Sequence, residues 1–273
     1  YHFISTSLLS KICKIIGQKE NNIFFENRAN VIKKAFADEF ITPSGRIAYS
    51  DQTSYAMSFV NDLIPEEKKE EAKNYFRQTI IDQNYRLGTG FHGTANLLKG
   101  LRKAGLEDMI EKVLLQEDLP GWMYQIKQGA TSIWERWNAM AEDGSIFDPE
   151  MNSFNHYAFG SVCEFIFENI VGIRSDENNP GFKNIIIEPL IIKSLCPISF
   201  KHESKSGLIS ININIENETV IYKIEIPQGS RGELILNDYT NIKVNNIDQN
   251  SDNLIINEGK NIISFSLKKN KTF

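Results

Sequence analysis

At Gly172 the spacing of apolar residues changes from a helical period to a strand period, and this switch restricts the chain to helices followed by sheet. Upstream, Ile4, Leu8, Ile12, Ile15 and Ile16 recur at helical intervals, as do Val31, Ile32, Ala35, Phe36 and Phe40. The same spacing predicts helices over 55–63, 65–81, 94–104 and 108–116, and a last strong one over about 156–170. Pro65 suits a first helical turn, and Gly17 and Gly105 stand where left-handed C-terminal caps are expected. No strand pattern interrupts these segments, which excludes a βαβ arrangement.

Downstream, Ile209, Ile211, Ile213 and Ile215 alternate with polar residues, and Val220, Tyr222, Ile224 and Ile226 repeat the pattern after a turn at 216–218. Further short runs at 234–236, 242–244, 254–256 and 262–267 predict an antiparallel sandwich. The polar stretch 174–181 marks the boundary, so the expected domains are 1–178, helical, and 179–273, β.

Composition adds exclusions. Of the 273 residues, 41% are hydrophobic and 24% charged, which suffices to bury a core and excludes a disordered chain. The net charge of −5 lacks the basic excess of a nucleic-acid partner, and no run nears the ~18 apolar residues of a membrane span. Three widely spaced cysteines without a CxxC pair argue against a disulfide framework and a zinc site. The chain opens on Tyr1 inside a helical pattern with no signal peptide pattern, so a longer protein is expected to continue upstream, and the compartment stays open.

Three clusters could carry chemistry. All three tryptophans, Trp122, Trp134 and Trp137, fall within sixteen residues, and Trp134-Glu-Arg-Trp137 sets the Glu135 carboxylate between two indoles. That arrangement offers an apolar wall for a ring, beside a carboxylate whose pKa desolvation by tryptophan can move. It equally suits buried core tryptophans with Glu135 paired to Arg136 or another base. A second cluster, Met151-Asn-Ser-Phe-Asn-His-Tyr-Ala-Phe-Gly160, brings Asn152, Asn155, His156 and Tyr157 to the start of the last helix. There Asn155 reads as a binding group or an N-cap, and His156 as a ligand contact or a satisfied buried histidine. The third, Leu87-Gly-Thr-Gly-Phe-His-Gly-Thr94, is a poor nucleotide loop because no lysine follows and no strand precedes; a tight turn delivering Phe91 and His92 to a site is expected instead. No G-x-S-x-G or HExxH motif occurs, and His2, His92, His156 and His202 are too scattered for a metal centre.

Five segments occur in one order: Thr89-Gly-Phe-His-Gly93, Pro120-Gly-Trp-Met-Tyr124, Gly129-Ala-Thr-Ser-Ile-Trp-Glu-Arg-Trp137, Asn152-Ser-Phe-Asn-His-Tyr-Ala-Phe-Gly160 and Pro180-Gly-Phe-Lys183. Together they resemble the C-terminal part of bacterial α-L-rhamnosidases of glycoside hydrolase family 78. The resemblance implies part of an (α/α)6 barrel followed by a small β-sandwich. It implies inverting hydrolysis of terminal α-L-rhamnose, with Glu135 as general base, His156 bonding the ring hydroxyls, and Trp134 and Trp137 building and drying the pocket. No metal or cofactor is implied, and the partner is a rhamnose-containing glycoside or polysaccharide.

Three departures qualify the likeness. The family's general acid and several sugar-contacting residues belong upstream of Tyr1. His92 replaces a usual apolar residue, and Asn138 stands where aspartate is common. A related (α/α)6 glycosidase of another sugar specificity, a catalytically silent carbohydrate-binding module and a purely structural domain are the competing readings. Half a barrel would also leave apolar helix faces uncovered, which predicts either self-association through them or a different helix packing.

Overall fold

The computed structural model describes residues 1–150 and 152–267. They form two compact units, Tyr1–Ser161 and Val162–Phe273. The expected division at 178/179 lies in the turn that joins the first two strands of the second unit.

The first unit is helical: α1 (His2–Ile15), α2 (Lys19–Phe40), α3 (Gln52–Val60), α4 (Lys69–Asp82), α5 (Phe91–Lys103), α6 (Glu107–Leu114) and α7 (Trp122–Lys127). The predicted caps form. Gly17 and Gly105 take φ values of +76° and +69°, and beyond them the Gln18 and Leu106 amides donate to Cys13 and Leu101 carbonyls, each at 2.8 Å. Asp51 caps α3 by accepting from the Ser54 amide at 2.7 Å. The expected single helix over 65–81 is instead a 3-10 turn (Glu66–Lys68) leading into α4.

Two glycines let α3 and α5 approach closely. A Cβ on Gly93 would fall 2.2 Å from Thr53 Oγ1, and one on Gly100 would fall 2.6 Å from Ala56 Cα. Tyr55 and Phe59 of α3 both stack on Phe76 of α4, at 5.8 Å between ring centres. Arg77 of α4 grips Asp108 of α6 with bonds of 2.6 and 3.0 Å. Two seven-residue turns repeat the same geometry. In each, residues 41 and 47, or 140 and 146, form an isolated antiparallel bridge around a left-handed glycine, Gly45 or Gly144.

The apolar stripe of α1 turns away from α2. Thr6, Ser10 and Cys13 are the buried residues of α1, and Asn22 of α2 donates to Ser10 Oγ at 2.9 Å. Leu8, Ile12 and Ile15 remain 52%, 50% and 82% exposed, and Ile23 and Phe24 of α2 are exposed as well.

The second unit opens not with the single long helix expected over 156–170 but with a composite. A 3-10 turn (Ala158–Ser161) ends the first unit, and α8 (Val162–Phe165) then widens into a π-helix (Ile166–Val171). Gly172 ends it at φ +82°, close enough to Pro189 that a Cβ would meet its Cα at 2.3 Å. Among the described residues ten strands follow: β1 (Ile173–Ser175), β2 (Asn184–Ile187), β3 (Ile198–Ser204), β4 (Gly207–Glu216), β5 (Thr219–Ile226), β6 (Arg231–Ile235), β7 (Tyr239–Val244), β8 (Ile247–Asp248), β9 (Asn253–Ile256) and β10 (Gly259–Leu267). They make a four-stranded sheet, β1-β2-β6-β9, and a six-stranded sheet, β3-β4-β5-β10-β7-β8. The predicted alternation holds in β4, where Ile209, Ile211 and Ile213 are buried beside exposed Asn212 and Asn214. One pairing departs from the antiparallel expectation: β2 and β6 run parallel, with Asn184 opposite Arg231. Tyr222 and Phe265 are fully buried in the core between the sheets, and the Tyr222 hydroxyl donates to the Val171 carbonyl at 2.9 Å.

Among the described residues no helix is long and apolar enough to cross a membrane. The sequence has two matches to the N-x-T glycosylation pattern, Asn217-Glu-Thr219 and Asn270-Lys-Thr272; Asn217 sits in the exposed β4–β5 turn, and Asn270 lies outside the described residues.

Candidate functional site

The two sequence clusters at 133–137 and 152–160 meet in the first unit, joined main chain to main chain. The Glu135 amide donates to the Ser153 carbonyl at 2.9 Å and the His156 amide to the Ile133 carbonyl at 2.8 Å. The Ser132 hydroxyl donates to the Phe154 carbonyl. Neither 133–137 nor 152–157 is helical, so these bonds, rather than an element's own ladder, set where Glu135 and His156 emerge.

A buried side chain holds the same strip from the other side. Gln125 of α7 is 1% exposed; its Oε1 accepts from the Trp134 amide at 3.3 Å and its Nε2 donates to the Arg136 carbonyl at 3.2 Å. The two residues flanking Glu135 are therefore fixed by one amide group. Glu135 itself is half-buried, and among the described residues no ion pair holds its carboxylate. The reading in which Glu135 pairs with Arg136 is not what forms: the Arg136 guanidinium lies over the Phe147 ring, 5.7 Å from its centre.

Aromatic rings supply the surroundings. Trp134 is buried, edge-on to Phe154 at 5.4 Å. Trp137 stacks on Phe159 at 3.9 Å and meets Trp122 edge-on at 5.5 Å, and the Trp122 indole N–H donates to the Phe159 carbonyl at 3.0 Å. The Trp137 indole N–H is buried with no acceptor among the described residues. Tyr124 donates its hydroxyl to the Met140 carbonyl at 3.0 Å; burial, with Glu142 and Asp143 nearby, pushes that hydroxyl's pKa up and keeps it a donor.

His156 is half-buried and its ring packs against Phe91, 5.0 Å between centres and 21° from parallel, with Tyr157 at 5.1 Å. Its Nδ1 accepts from the Ala158 amide at 3.3 Å, which leaves Nε2 as the nitrogen that carries the proton of the neutral tautomer. The glycine-rich turn thus delivers Phe91 to the ring. Gln52 braces that turn, accepting from the Gly88 amide at 2.8 Å and donating to the Arg86 carbonyl at 3.0 Å. His92 points elsewhere, edge-on to Tyr1 at 5.5 Å.

Asn152 donates to the Ala139 carbonyl at 3.0 Å, with its Oδ1 buried and unpartnered among the described residues. Asn155 is exposed and lies three residues ahead of the 3-10 turn, so it is not the helix cap that the sequence allowed. Among the described residues no three His, Cys, Asp or Glu side chains gather as a metal site. Sequence reasoning missed Gln125 altogether: a glutamine in a six-residue helix has no spacing signal, and its partners are nine and eleven residues away.

Comparisons with known proteins agree with this layout. Residues 1–170 match the family described as the bacterial alpha-L-rhamnosidase 6 hairpin glycosidase domain, and residues 172–250 match the bacterial alpha-L-rhamnosidase C-terminal domain. An alpha-L-rhamnosidase of Formosa agariphila is 34% identical over 232 residues, covering 84% of this chain and 25% of that protein. One of Streptomyces avermitilis is 36% identical over 158 residues, covering 58% of this chain and 15% of its own. Among solved structures, the native rhamnosidase of Aspergillus terreus superimposes with a TM-score of 0.87 at 28% identity, over 96% of this chain and 29% of that one. The Streptomyces avermitilis enzyme in complex with L-rhamnose gives 0.85 at 25% identity, over 95% of this chain and 26% of that one. The chain therefore spans about a quarter of the length of the Formosa and Streptomyces proteins it matches along most of its own.

Proposed function

Because the chain belongs to the bacterial α-L-rhamnosidase family, we propose that it supplies the base side of a site that hydrolyses terminal α-L-rhamnosides with inversion, and that Glu135 is the general base. The observation that carries this reading is the clamped strip around Glu135: a half-buried carboxylate without an ion pair among the described residues, held from both flanks, one hydrogen-bonded segment away from His156.

Inversion requires one carboxylate to take a proton from water while an acid protonates the departing glycosidic oxygen, the two being roughly 6.5–9.5 Å apart. Glu135 takes the first role. Water attacks the anomeric carbon, its proton passes to Glu135, and the bond to the aglycone oxygen breaks as that oxygen is protonated by an acid outside this chain. His156 donates from Nε2 to a ring hydroxyl, its tautomer set by the Ala158 amide and its plane by Phe91. Trp134 and Trp137 close the wall behind the base and keep water ordered on one side of it.

The same reading accounts for the bare stripe of α1 and α2. In the whole protein other parts of the barrel cover it; alone, two copies of this chain cover it for one another.

Turnover of an aryl α-L-rhamnoside with a good leaving group tests the assignment, since such a group lessens the need for an acid. Slow hydrolysis lost in Glu135→Gln, with β-L-rhamnose as first product by NMR, supports it. Equal turnover in both forms removes Glu135 from the mechanism. Binding of rhamnose untouched by Glu135→Gln, with no turnover, favours the carbohydrate-binding module instead.

A further inference from the structure

The Pro180-Gly-Phe-Lys183 segment, which the proposed reaction does not use, leads into the one parallel strand pair among the described residues. Because β2 and β6 run parallel with Asn184 opposite Arg231, their starting ends coincide, and the Arg231 amide donates to the Lys183 carbonyl at 3.0 Å. Antiparallel strands would have sent Lys183 and Arg231 to opposite ends of the sheet. Here they line one cavity of about 350 Å³ with Asn179, Asn184, Gly229 and Ser230.

The cavity is braced from behind. Asn184 is 7% exposed; its Nδ2 donates to Asp176 Oδ2 at 3.1 Å and its Oδ1 accepts from Arg231 Nε at 3.2 Å. Arg231 is thereby held through Nε, while its two terminal nitrogens have no partner among the described residues. Lys183 likewise has no ion pair among them. Ser230 is 6% exposed, and its hydroxyl is buried without a partner among the described residues. The neighbouring acids are engaged: Asp176 by Asn178, Asn179 and Asn184, and Glu258 by the Gly229 amide at 2.5 Å. A guanidinium fork held at Nε and an ammonium, at one small polar cavity lined also by Asn179, Asn184 and Ser230, are complementary to a single oxyanion.

We infer that Lys183 and Arg231 form an oxyanion site in the β unit, at the cavity they share with Ser230, which takes a sulfate or carboxylate either free or carried on an acidic saccharide. The inference is independent of the role of Glu135.

The test is titration of the 15N-labelled 273-residue chain at constant ionic strength with sodium sulfate, with D-glucuronate and with L-rhamnose, following backbone amides. Saturable shifts centred on Lys183, Ser230 and Arg231 are expected with an anion and not with rhamnose. Arg231→Gln should weaken binding at least about tenfold and Lys183→Gln several-fold, with the remaining spectrum unchanged. Lys183 is exposed with no ion pair among the described residues to lose, and Arg231→Lys, which keeps the charge but not the fork or the Nε bond to Asn184, separates loss of charge from loss of that brace. Tighter binding of glucuronate than of sulfate assigns the site to an acidic saccharide, and the reverse assigns it to the free ion. Absence of saturable shifts with both anions overturns the inference, as does binding unchanged in Arg231→Gln.

Discussion

Gln125 and Trp134 are joined by a bond from the Trp134 amide to Gln125 Oε1, and the other end of the same side chain holds Arg136, so that one buried amide brackets Glu135. The carboxylate sits on a strip with no ladder of its own. Its position is only as firm as this bracket and the Ser153 bond on the opposite side.

Gln125→Leu removes both contacts while keeping the volume. It leaves the buried Trp134 amide without a partner, at about 1–3 kcal/mol, while the Arg136 carbonyl keeps its bond from the Ala139 amide. Urea denaturation of the variant should show a loss of about 1–3 kcal/mol. A loss below about 0.5 kcal/mol would mean the bracket does not hold the strip.

Glu135→Gln should behave in the opposite way. With no ion pair among the described residues to break, the melting temperature should stay within about 2 °C of the parent, whereas turnover of an activated aryl rhamnoside should fall about 10²–10⁴-fold. Thermal unfolding and initial rates, measured side by side, separate the chemical from the structural effect.

The α3–α5 contact predicts a sharp intolerance. In Gly100→Ala the new methyl would lie 2.6 Å from the Ala56 Cα and 2.9 Å from its carbonyl, and a backbone cannot turn aside as a side chain can. A destabilisation of about 1–3 kcal/mol is expected from chemical denaturation. The same substitution at Gly90, where a Cβ meets nothing within 4 Å, is the control.

Asp176 should make a pH-dependent contribution. Hydrogen bonds from Asn179, the Asn178 amide and Asn184 hold its pKa at about 2, below the ordinary carboxylate value near 3.9. A depressed folded-state pKa stabilises above the unfolded value, and that stability disappears as pH falls through about 2. The melting temperature of Asp176→Asn should therefore lie below that of the parent at pH 7, and the difference should vanish near pH 2. A pH-independent difference would show that the charge of Asp176 is not involved.

Light scattering should find this chain associated at micromolar concentration. Replacing Ile12 and Ile15, 50% and 82% exposed, by glutamate should return it to the monomer without loss of helix by circular dichroism. A monodisperse monomer of the parent would rule out association through this face.

Legibility from the sequence followed the range of the forces involved. The change of period at Gly172, the caps at Gly17 and Gly105, and the alternation in β4 are local, because each depends on residues within a turn or a pleat of one another. The candidate base was legible only through the resemblance, since Trp134-Glu-Arg-Trp137 by itself suited a core as well as a pocket. The long helix expected over 156–170 failed because apolar spacing reads the same through a 3-10 turn, an α turn and a π-helix. The π-helix ends at Gly172, whose backbone packs against Pro189 too closely for a Cβ.

The sequence by itself determined the order of helix and sheet, which residues face inward within most elements, and the words that name the family. Tertiary structure alone decided that Gln125 brackets Glu135, that Phe91 lies on His156, and that β2 and β6 run parallel and bring Lys183 beside Arg231. Periodicity is a property of neighbours along the chain. These pairings join segments from nine to sixty-five residues apart, and what selects them is shape and hydrogen-bond satisfaction once the chain has closed on itself.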